Sequence, residues 1–421
     1  MTQIPFDLSI PGVSEVDKDN NLTVFSAPSK PTDAAAVTRD TPLESLNLNW
    51  REKELPERIR TKHVHRLHPY LGKYIPQLVE IFLRKYFEAG QRVLDPFCGS
   101  GTTLVQANEL GIESIGYDIS AFNVMLCRAK TQRYDLTVAE AEIRDIMQRT
   151  RSATLNMDSD ALISEPGSET AAIPDTDNEY LNAWFAPQTL RELLAYRHFI
   201  ETGEYRYKDL LRIILSRSAR SARLTKHFDL DFPKQPQTEP YWCYKHSRTC
   251  SPTTEAWKFI ERYSLDTIAR ISEYASLRSA ARVSIHHQDS READIPPIDG
   301  VITSPPYVGL IDYHAQHEYA YHLFDLEDRR EAEIGPAAEG AGANARERYQ
   351  AGIAQVFKNA ASSMRAGGRM IVVAGDRANL YDRIAELAGL EIEAVVKRHV
   401  NRRTGRRSSE FFESVFIWRK P

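Results

Sequence analysis

The sequence predicts an α/β protein built on a doubly wound, mostly parallel β-sheet that carries a mainly helical insertion. Two observations support this fold class. Short apolar segments typical of strands alternate with helical periodicity before residue 130 and again after residue 281, which is the pattern of parallel sheets whose strands are joined by helices. From about residue 184 to residue 281 the periodicity is helical, apart from an irregular stretch at residues 229–254. A ligand of such a sheet binds at the carboxyl ends of the strands.

The individual elements follow from local signals. Short apolar runs bounded by glycine, proline or acidic residues indicate strands, and apolar residues at three- and four-residue spacing indicate helices. Gly111 stands just past one helix, where glycine favours termination. In chain order the sequence predicts a helix near residues 74–87, a strand at 92–95, a helix at 102–110, strands at 114–118, 283–287 and 300–303, a helix at about 346–365, a strand at 369–374, a helix at 378–388, and strands at 391–397 and 412–418.

The chain divides into three regions by composition. Residues 1–55 are rich in Asp, Ser, Thr, Pro and Ala without a sustained period, which predicts a flexible N-terminal extension. Residues 56–130 and 281–421 carry the alternating pattern and form the expected sheet domain. Residues 131–280 form the mainly helical insertion, in which the acidic stretch at about 152–180 is typical of a loop or linker.

Composition excludes several classes of protein. No apolar run approaches the roughly 20 residues that span a bilayer, and the first residues lack the basic start and apolar core of a secretory signal. The irregular spacing of four cysteines argues against a disulfide framework, so a cytoplasmic location is expected; they are Cys98, Cys127, Cys243 and Cys250. The net charge of −4 does not indicate a nucleic-acid partner, so any DNA-binding surface has to be locally positive.

Residues 93–103, VLDPFCGSGTT, have the pattern of a ligand-binding turn. The strand ends at Asp95, a tight turn holds Gly99 and Gly101, and a helix follows. Glycine permits positive φ and a close approach of the ligand, and the free N–H groups at a helix start favour a carboxylate or phosphate. Asp118 ends the next strand, about where an acid binds ribose hydroxyls in dinucleotide folds. The missing Gly-Lys-Ser/Thr excludes the phosphate loop of nucleotide hydrolases.

The segment DPFCGSGTT resembles the cofactor-binding motif of DNA amino-methyltransferases, D-P-F-x-G-S-G-T-T. The resemblance implies a Rossmann-like methyltransferase fold, in which the sheet domain is catalytic and S-adenosylmethionine is the methyl donor. It also implies that Asp118 holds the ribose and Asp289 the adenine amino group. HPYLGKY, residues 68–74, is similar to a segment that folds against the donor in some members; a helix start that packs on the core is the alternative. The implied cofactor-binding residues are Tyr70, Lys73, Asp95, Pro96, Phe97, Cys98, Gly99, Ser100, Gly101, Thr102, Thr103, Asp118, Ile119, Asp289 and Ser290.

Residues 301–307, VITSPPY, place two adjacent prolines directly after a predicted strand. Proline cannot donate ladder hydrogen bonds, and the pair stiffens the chain. The amino group of a base is a poor nucleophile because its lone pair is delocalised into the ring. Acceptors for its two hydrogens would favour sp³ character, and the Ser304 hydroxyl and the Pro305 carbonyl can serve as these acceptors. Tyr307 can stack on the base and offset part of the cost of extruding it from the duplex.

TSPPY after a strand, downstream of the glycine turn, resembles the catalytic motif of the same family, which makes Ser304, Pro305, Pro306 and Tyr307 the candidate catalytic residues. Serine at the first position resembles the cytosine-N4 members, whereas Asp or Asn is commoner in adenine-N6 enzymes. The sequence therefore favours a DNA methyltransferase that modifies the N4 amino group of a flipped-out cytosine in a restriction-modification or related system. Adenine-N6 methylation and, less favoured, methylation of an RNA amino group stay open. Cytosine C5 methylation is disfavoured because the chain has no Pro-Cys pair.

Two basic segments are candidates for contact with double-stranded DNA. The first, residues 207–227, would place its cations on one helix face that follows a DNA phosphate backbone. A helix face exposed to solvent without bound DNA is the alternative. The candidates in this segment are Arg217, Arg220 and Arg223. The other, residues 397–407, contains the glycine expected at a hairpin tip, and its candidates are Arg402, Arg403, Arg406 and Arg407. We expect the insertion to read DNA and to be removable without loss of cofactor affinity. A cognate restriction endonuclease stays open as a second partner.

The sequence predicts no metal site. Cys243, His246 and Cys250 are potential ligands, but their spacing is unusual and no fourth ligand lies nearby in the sequence. An aromatic recognition loop or local packing is the preferred interpretation of residues 241–250.

Overall fold

The computed structural model describes residues 12–16, 22–26, 28–158, 175–227, 229–231, 233–309, 313–336, 338, 340, 342–400 and 411–421. The α-helices are α1 (Glu57–Arg60), α2 (Pro76–Tyr86), α3 (Thr102–Glu109), α4 (Ala121–Thr131), α5 (Leu136–Asp158), α6 (Glu179–Trp184), α7 (Pro187–Thr202), α8 (Lys208–Ala222), α9 (Trp257–Ala275), α10 (Tyr313–Gln316), α11 (Glu318–Phe324), α12 (Ala343–Ser363) and α13 (Tyr381–Ala388). Short 3-10 helices cover Ala34–Ala36, Leu43–Ser45, His63–Arg66 and Arg330–Ala332. The strands are β1 (Gly12–Val16), β2 (Leu22–Ser26), β3 (Arg92–Asp95), β4 (Glu113–Asp118), β5 (Tyr241–Cys243), β6 (Arg248–Cys250), β7 (Val283–His287), β8 (Ile298–Thr303), β9 (Met364–Ala374), β10 (Glu391–Val400) and β11 (Phe411–Arg419).

Nine of these strands form one sheet, in the order β2-β1-β10-β11-β9-β8-β3-β4-β7. The central pairs β9/β8, β8/β3, β3/β4 and β4/β7 are parallel, whereas β11 lies antiparallel between β9 and β10. β1 is antiparallel to both of its neighbours, β10 and β2. As a result, β1 and β11 run opposite to the other strands of the sheet. The predicted doubly wound, mostly parallel sheet is confirmed.

Helices cover both faces of the sheet. Successive side chains of a strand point to opposite faces, so a strand that is apolar at consecutive positions needs helices on both sides to bury them. In β9, Met370 and Val372 belong to a core that includes residues of α12 and α13, while Ile371 and Val373 belong to a core built with α2. Both sets are buried. This arrangement explains why β9 is apolar without alternation, as expected for a strand buried on both faces.

The carboxyl ends of the parallel strands lie at one edge of the sheet. Asp95 ends β3, Asp118 ends β4, His287 ends β7 and Thr303 ends β8. The glycine turn follows β3, and the Ser-Pro-Pro-Tyr segment follows the adjacent parallel strand β8. Both segments therefore lie at the same edge of the sheet. The prediction that the sequence motifs meet at the strand ends is confirmed.

The prediction of a flexible extension for residues 1–55 is wrong for the described part of that segment. β1 pairs with β10 and β2 pairs with β1, which extends the sheet. Val37, Leu43 and Leu46 are buried in the core formed with α2. Residues 28–55 lack a sustained period because they pack through scattered apolar residues in and beside short 3-10 turns.

The helices of the insertion at residues 131–280 share a hydrophobic core with the sheet domain. Helices α5, α7, α8 and α9 contribute buried residues to a cluster that also contains Leu67 and Tyr70 from the segment before α2, Phe122 from α4 and Tyr319 from α11. His68, fully buried, is 3.2 Å from the Ser216 hydroxyl of α8. The predicted helical character is present, but the insertion and the sheet domain share one hydrophobic core.

Two local predictions within the insertion differ from the structure. α5 runs to Asp158, so the first residues of the predicted linker at 152–180 are helical, while residues 159–174 lie outside the described residues. The irregular stretch at 229–254 contains the hairpin of β5 and β6. Within the described part of the chain, no helix is both long and apolar enough to cross a membrane.

Candidate active site

A cleft of about 870 Å³, partly open to solvent, lies at the carboxyl edge of the sheet. The structure brings most of the sequence-predicted residues together around it: Tyr70, Lys73, Pro96, Phe97, Cys98, Gly99, Ser100, Thr102, Asp118, Ile119, Asp289, Ser290, Ser304 and Pro306. Asp95, Gly101, Thr103, Pro305 and Tyr307 are not part of the lining.

The glycine turn has the backbone conformation that its sequence predicts. Gly99 and Gly101 have φ of 47° and 77°, in the left-handed region that favours glycine. Gly101 is the N-cap residue of α3. A Cβ at Gly101 would lie 2.9 Å from the Cys127 sulfur, and one at Gly99 would lie 3.2 Å from the Tyr70 hydroxyl. The turn thus needs glycine both for its dihedral angles and for its close contact with neighbouring elements.

Asp118 is held firmly at the cleft by hydrogen bonds. Its carboxylate accepts the backbone N–H groups of Gly99 at 2.8 Å and Ser120 at 2.9 Å, and the Asn123 amide at 3.1 Å. Burial raises the pKa of Asp118, and these hydrogen bonds oppose the increase. The acid that ends β4 is therefore fixed beside the glycine turn.

Asp95 lies beneath the cleft and links the two motifs. Its carboxylate accepts the Thr303 hydroxyl at 2.7 Å, the Tyr74 hydroxyl at 3.1 Å and the Phe97 backbone N–H at 3.2 Å. Tyr74 also contacts the Thr103 hydroxyl, which in turn donates to the Ile302 carbonyl at 3.2 Å. Asp95 and Thr103 therefore have a structural role, because their hydrogen bonds join the ends of β3 and β8 beneath the cleft.

Lys130 was not identified by the sequence analysis. It is fully buried on α4, and its ammonium group donates to the Ser100 carbonyl at 2.7 Å. Burial, aided by the charge of Lys73, lowers the pKa of Lys130 well below its ordinary value. A single lysine in a helical segment gives no sequence signal of this contact, because only the packing of α4 places it under the turn.

The segment around Tyr70 packs on the core, as the alternative interpretation of HPYLGKY expects, and it also reaches the cleft; its contact with the methyl donor stays a prediction. The Tyr70 hydroxyl accepts the Asn123 amide at 3.1 Å, and its ring stacks on His317 at 5.5 Å. The Lys73 ammonium group donates to the His65 carbonyl at 3.1 Å. Both side chains line the cleft.

The Ser-Pro-Pro-Tyr segment is anchored from two sides. Ser304 and Pro306 line the cleft, while Pro305 is buried. The Pro306 carbonyl accepts the Tyr349 hydroxyl at 2.8 Å, and Tyr349 is also 2.7 Å from the Tyr381 hydroxyl. The Tyr307 hydroxyl donates to Glu413 at 2.9 Å, and its ring is half-buried beside Phe411.

The opposite wall of the cleft is built by the segment after β7 and by residues that sequence analysis missed. The Asp289 carboxylate is held by Arg291 at 2.9 and 3.0 Å, and Ser290 donates to the Pro96 carbonyl at 2.6 Å. Glu333, Ile334 and Pro336 also line the cleft. Their local sequence has no recognisable pattern, so only the fold reveals them.

The first predicted DNA-contact segment is not an exposed basic face. Arg217 pairs with Asp266 at 2.6 Å, and its side chain is only 12% exposed. Arg220 pairs with Asp231, and the fully buried Arg223 donates to the Leu230 carbonyl and lies over the Tyr319 ring. The prediction is wrong because these arginines hold α8 to its neighbours. Arg402, Arg403, Arg406 and Arg407 lie outside the described residues.

The cleft fits S-adenosylmethionine on the basis of its own residues. The buried hydroxyls of Ser100 and Thr102 have no hydrogen-bond partner among the described residues, although both residues line the cleft. Phe97, Ile119 and Ile334 supply an apolar wall, and the glycine turn leaves its backbone accessible. A site with unpaired polar groups, an apolar wall and three acids suits a zwitterion attached to a nucleoside.

Comparison with known proteins gives consistent matches. A family model described as DNA methylase matches residues 20–127, and one described as methyltransferase domain matches residues 87–190. The chain is 36% identical over 430 residues to the type II methyltransferase M.MjaII of Methanocaldococcus jannaschii, covering 86% of this chain and 81% of that protein. It is 24% identical over 278 residues to the type II methyltransferase M.MvaI of Kocuria varians, covering 62% of this chain and 55% of that protein.

A shorter match involves an enzyme named for an RNA substrate. The chain is 33% identical over 98 residues to the tRNA (guanine(10)-N2)-dimethyltransferase of Methanothermobacter thermautotrophicus, covering 23% of this chain and 28% of that protein. The match to M.MjaII extends over most of both chains. Together with the DNA methylase model and the geometry of the cleft, it shows that this chain belongs to the N4/N6 family of DNA amino-methyltransferases, which use S-adenosylmethionine as the methyl donor.

Proposed function

We propose that this protein methylates the exocyclic N4 amino group of cytosine in double-stranded DNA, as the modification enzyme of a type II restriction-modification system. The observation that carries the proposal is the position of Ser304, which lines the cleft at the end of β8 with the stiff Pro305-Pro306 pair directly after it. Serine at this position favours cytosine N4 over adenine N6. The type II names of M.MjaII and M.MvaI support the biological setting.

Ser304 and Pro305 act on the target amino group by accepting its hydrogen bonds. The Ser304 hydroxyl and the Pro305 carbonyl bind the two amino hydrogens, which draws the nitrogen toward sp³ geometry and frees its lone pair. The Pro306 carbonyl already accepts the Tyr349 hydroxyl, so that bond fixes the loop. Fixed acceptors need no reorganisation as charge develops on the nitrogen.

Tyr307 supports the extruded base from the side. Its hydroxyl is tied to Glu413, which also accepts Arg398 at 2.8 Å. The ring orientation is therefore set before a base arrives. Stacking of a base on such a ring contributes about 1–3 kcal/mol in single-strand complexes, which offsets part of the cost of extrusion.

The methyl donor binds along the glycine turn. Bound S-adenosylmethionine supplies an electrophilic methyl group on its sulfonium. Asp118 would orient the ribose hydroxyls, Asp289 would accept the adenine amino group, and Lys73 and Tyr70 would contact the carboxylate end of the donor. Lys130 keeps the Ser100 carbonyl in place, so the turn presents the same surface to each donor molecule.

DNA approaches the carboxyl edge of the sheet. β10 ends and β11 begins at this edge, since Ser414 of β11 pairs with Ala374 at the end of β9. β10 ends at Val400 and β11 begins at Phe411, and Phe411 and Glu413 contact Tyr307. Arg402, Arg403, Arg406 and Arg407, between these two strands in the sequence, are proposed to contact DNA phosphates near the extruded base.

The proposal is tested by incubating the purified protein with plasmid DNA and deuterium-labelled methyl donor, followed by mass spectrometry of the nucleosides. We expect labelled N4-methylcytosine. Labelled N6-methyladenine would refute the choice of base while keeping the enzyme class. Label confined to RNA in a parallel reaction would refute the DNA substrate.

A Ser304→Ala variant tests the catalytic role in the same assay. We expect a loss of most turnover, on the order of 10²-fold for one catalytic hydrogen bond, with donor affinity by calorimetry unchanged. Ser362→Ala, which removes an exposed serine hydroxyl of α12, is the matched control. Near-normal turnover of Ser304→Ala would remove Ser304 from the mechanism.

A further inference from the structure

Four potential metal ligands converge outside the active site, in the segment between α8 and α9. The ligand atoms of His227, Cys243, His246 and Cys250 all lie within 4.8 Å of one another. The Cys243 sulfur is 3.6 Å from His227 Nδ1 and 3.7 Å from His246 Nδ1, and His246 Nδ1 is 3.4 Å from the Cys250 sulfur. The fourth ligand that the local sequence lacks is supplied by His227, which follows α8.

These separations match a tetrahedral zinc centre. Zinc binds cysteine sulfur at about 2.3 Å and histidine nitrogen at about 2.0–2.1 Å. In a tetrahedral site those bond lengths place sulfur and nitrogen ligands about 3.6 Å apart. The three sulfur–nitrogen distances given above fall on both sides of this value. The donor set of two thiolates and two imidazoles is one that structural zinc sites use.

The backbone holds the ligands in place before any metal binds. Cys243 ends β5, Cys250 ends β6, and the two strands pair with Tyr241 opposite Cys250. The His246 backbone N–H donates to the Cys243 carbonyl at 3.1 Å, which closes the turn between them. The Tyr241 hydroxyl accepts the His227 backbone N–H at 3.0 Å and also lies 2.8 Å from His227 Nδ1, so both the backbone and the ring of the distant ligand are tied to the hairpin.

The hairpin has little apolar packing within the described part of the chain. Its buried cluster there consists of Tyr241, Cys243 and Cys250, while Trp242 and Tyr244 are exposed. Each strand is only three residues long, and isolated hairpins are marginal in water. Both cysteines are free thiols in the structure. A metal ion is a common way to stabilise a segment with so small a core.

We infer that His227, Cys243, His246 and Cys250 form a structural zinc site that fixes the β5–β6 hairpin to the end of α8. Zinc binding releases the two thiol protons, and the two thiolates balance the charge of the ion. All four positions are filled by protein, so the site is closed and has no catalytic position for water. His246 is exposed, which gives the ion a route into the site.

The inference is tested by metal analysis of the full-length protein, prepared without a polyhistidine tag and desalted under reducing conditions. We expect about one zinc per chain, as for a closed four-ligand site. X-ray absorption of this wild-type protein should show two sulfur ligands at about 2.3 Å and two nitrogen ligands at about 2.0–2.1 Å. Absence of zinc both as isolated and after addition of zinc would overturn the inference, as would a shell without sulfur.

Two variants decide whether the ligands are those named. His227→Ala and Cys243→Ser should each lose most of the zinc, whereas Cys127→Ala, which also removes a buried cysteine, should keep it. Circular dichroism verifies that each variant is folded. Full zinc content in His227→Ala would overturn the four-residue site. If the ligand variants fail to fold, the wild-type ligand shell alone confirms or overturns the inference.

Discussion

At the scale of single residues, Asp95 has an unusual environment for a carboxyl group. It is fully buried beneath the cleft, and burial raises its pKa to about 6, although hydrogen bonds from Thr303, Thr103, Phe97 and Tyr74 oppose the increase. The protein tolerates the burial of this carboxyl group because its hydrogen bonds connect the glycine turn to the Ser-Pro-Pro-Tyr segment. Burial of polar groups is acceptable when their hydrogen bonds are satisfied.

The elevated pKa of Asp95 predicts a pH-dependent stability. The folded-state pKa of about 6 exceeds the unfolded value of about 3.9, so the folded protein binds the proton more tightly. The resulting stabilisation is complete below about pH 4 and is lost as the pH rises to about 6. Wild-type Tm should therefore fall across this range relative to Asp95→Asn, as measured by thermal denaturation. A pH-independent difference between the two proteins would contradict the elevated pKa.

Thr303→Val provides a second test of the same network. The Thr303 hydroxyl donates to Asp95 and lowers its pKa. In Thr303→Val the pKa of Asp95 should therefore be higher than in the wild type. The decrease of Tm with rising pH should then extend to higher pH in the same thermal denaturation measurements.

At the scale of elements, the start of α3 depends on the close approach of α4. Gly101 combines a positive φ with a position where a Cβ would lie 2.9 Å from the Cys127 sulfur. Gly389 at the end of α13 has a similar φ of 72°, but a Cβ there would meet nothing within 4 Å. The pair therefore separates the cost of the backbone conformation from the cost of the close approach.

We expect Gly389→Ala to lower the free energy of unfolding by roughly 1–2 kcal/mol, the cost of a left-handed conformation. Gly101→Ala should cost more because of the clash, and it should also weaken donor binding. The measurements are denaturant unfolding and calorimetry. Adding Cys127→Ala to Gly101→Ala should recover part of the stability. Equal effects of the two single glycine substitutions would show that the close approach is unimportant.

The β10–β11 hairpin carries the proposed DNA contacts at the same edge as the cleft. Substitution of Arg402, Arg403, Arg406 and Arg407 by alanine should weaken DNA binding. It should also reduce the slope of log affinity against log salt by about 0.9 for each DNA phosphate that the variant no longer neutralises. Fluorescence anisotropy over a salt series measures both quantities.

Arg419→Ala is the control for this experiment. Arg419 ends β11 at the opposite edge of the sheet, where it pairs with Glu391, so its removal should leave the salt slope unchanged. An unchanged slope in the fourfold variant would place the DNA elsewhere.

At the scale of the whole molecule, the insertion is part of the structure that supports the cofactor site. Tyr70 lines the cleft and belongs to the same core as the buried residues of α7, α8 and α9. Buried Glu192 of α7 accepts the Trp257 backbone N–H at 2.8 Å, which ties the helices of the insertion to one another. The expectation that the insertion is separable from cofactor binding therefore does not fit the shared core.

Deletion of residues 131–280 should consequently abolish binding of the methyl donor as well as of DNA. The faces of α4 and of the Tyr70 segment that pack against the insertion would lose their apolar partners and become exposed to solvent. Calorimetry with S-adenosylmethionine and the solubility of the shortened chain are the measurements. Wild-type donor affinity after the deletion would show that the shared core is dispensable for the site.

Much of the sheet domain could be predicted from the sequence because its signals are local. The strand at Arg92–Asp95 and the strand at Val283–His287 have the predicted bounds, since short apolar runs between turn residues leave few alternatives. Strands β1 and β2, the 3-10 turns at Ala34–Ala36 and Leu43–Ser45, and the β5–β6 hairpin were not predicted. They depend on pairing and burial with distant parts of the chain, for which a short segment carries no periodic signal.

The components of the candidate site could be predicted from the sequence, because the glycine turn, the acids that end the strands and the Ser-Pro-Pro-Tyr segment are contiguous patterns whose backbone requirements are local. Tertiary structure alone decided which side chains are available. It buried Arg217, Arg220 and Arg223 in contacts around α8, placed Lys130 beneath the turn, and brought His227 to a hairpin that begins at Tyr241. Contacts between residues far apart in the chain are set by packing, and packing is fixed only when the whole chain has folded.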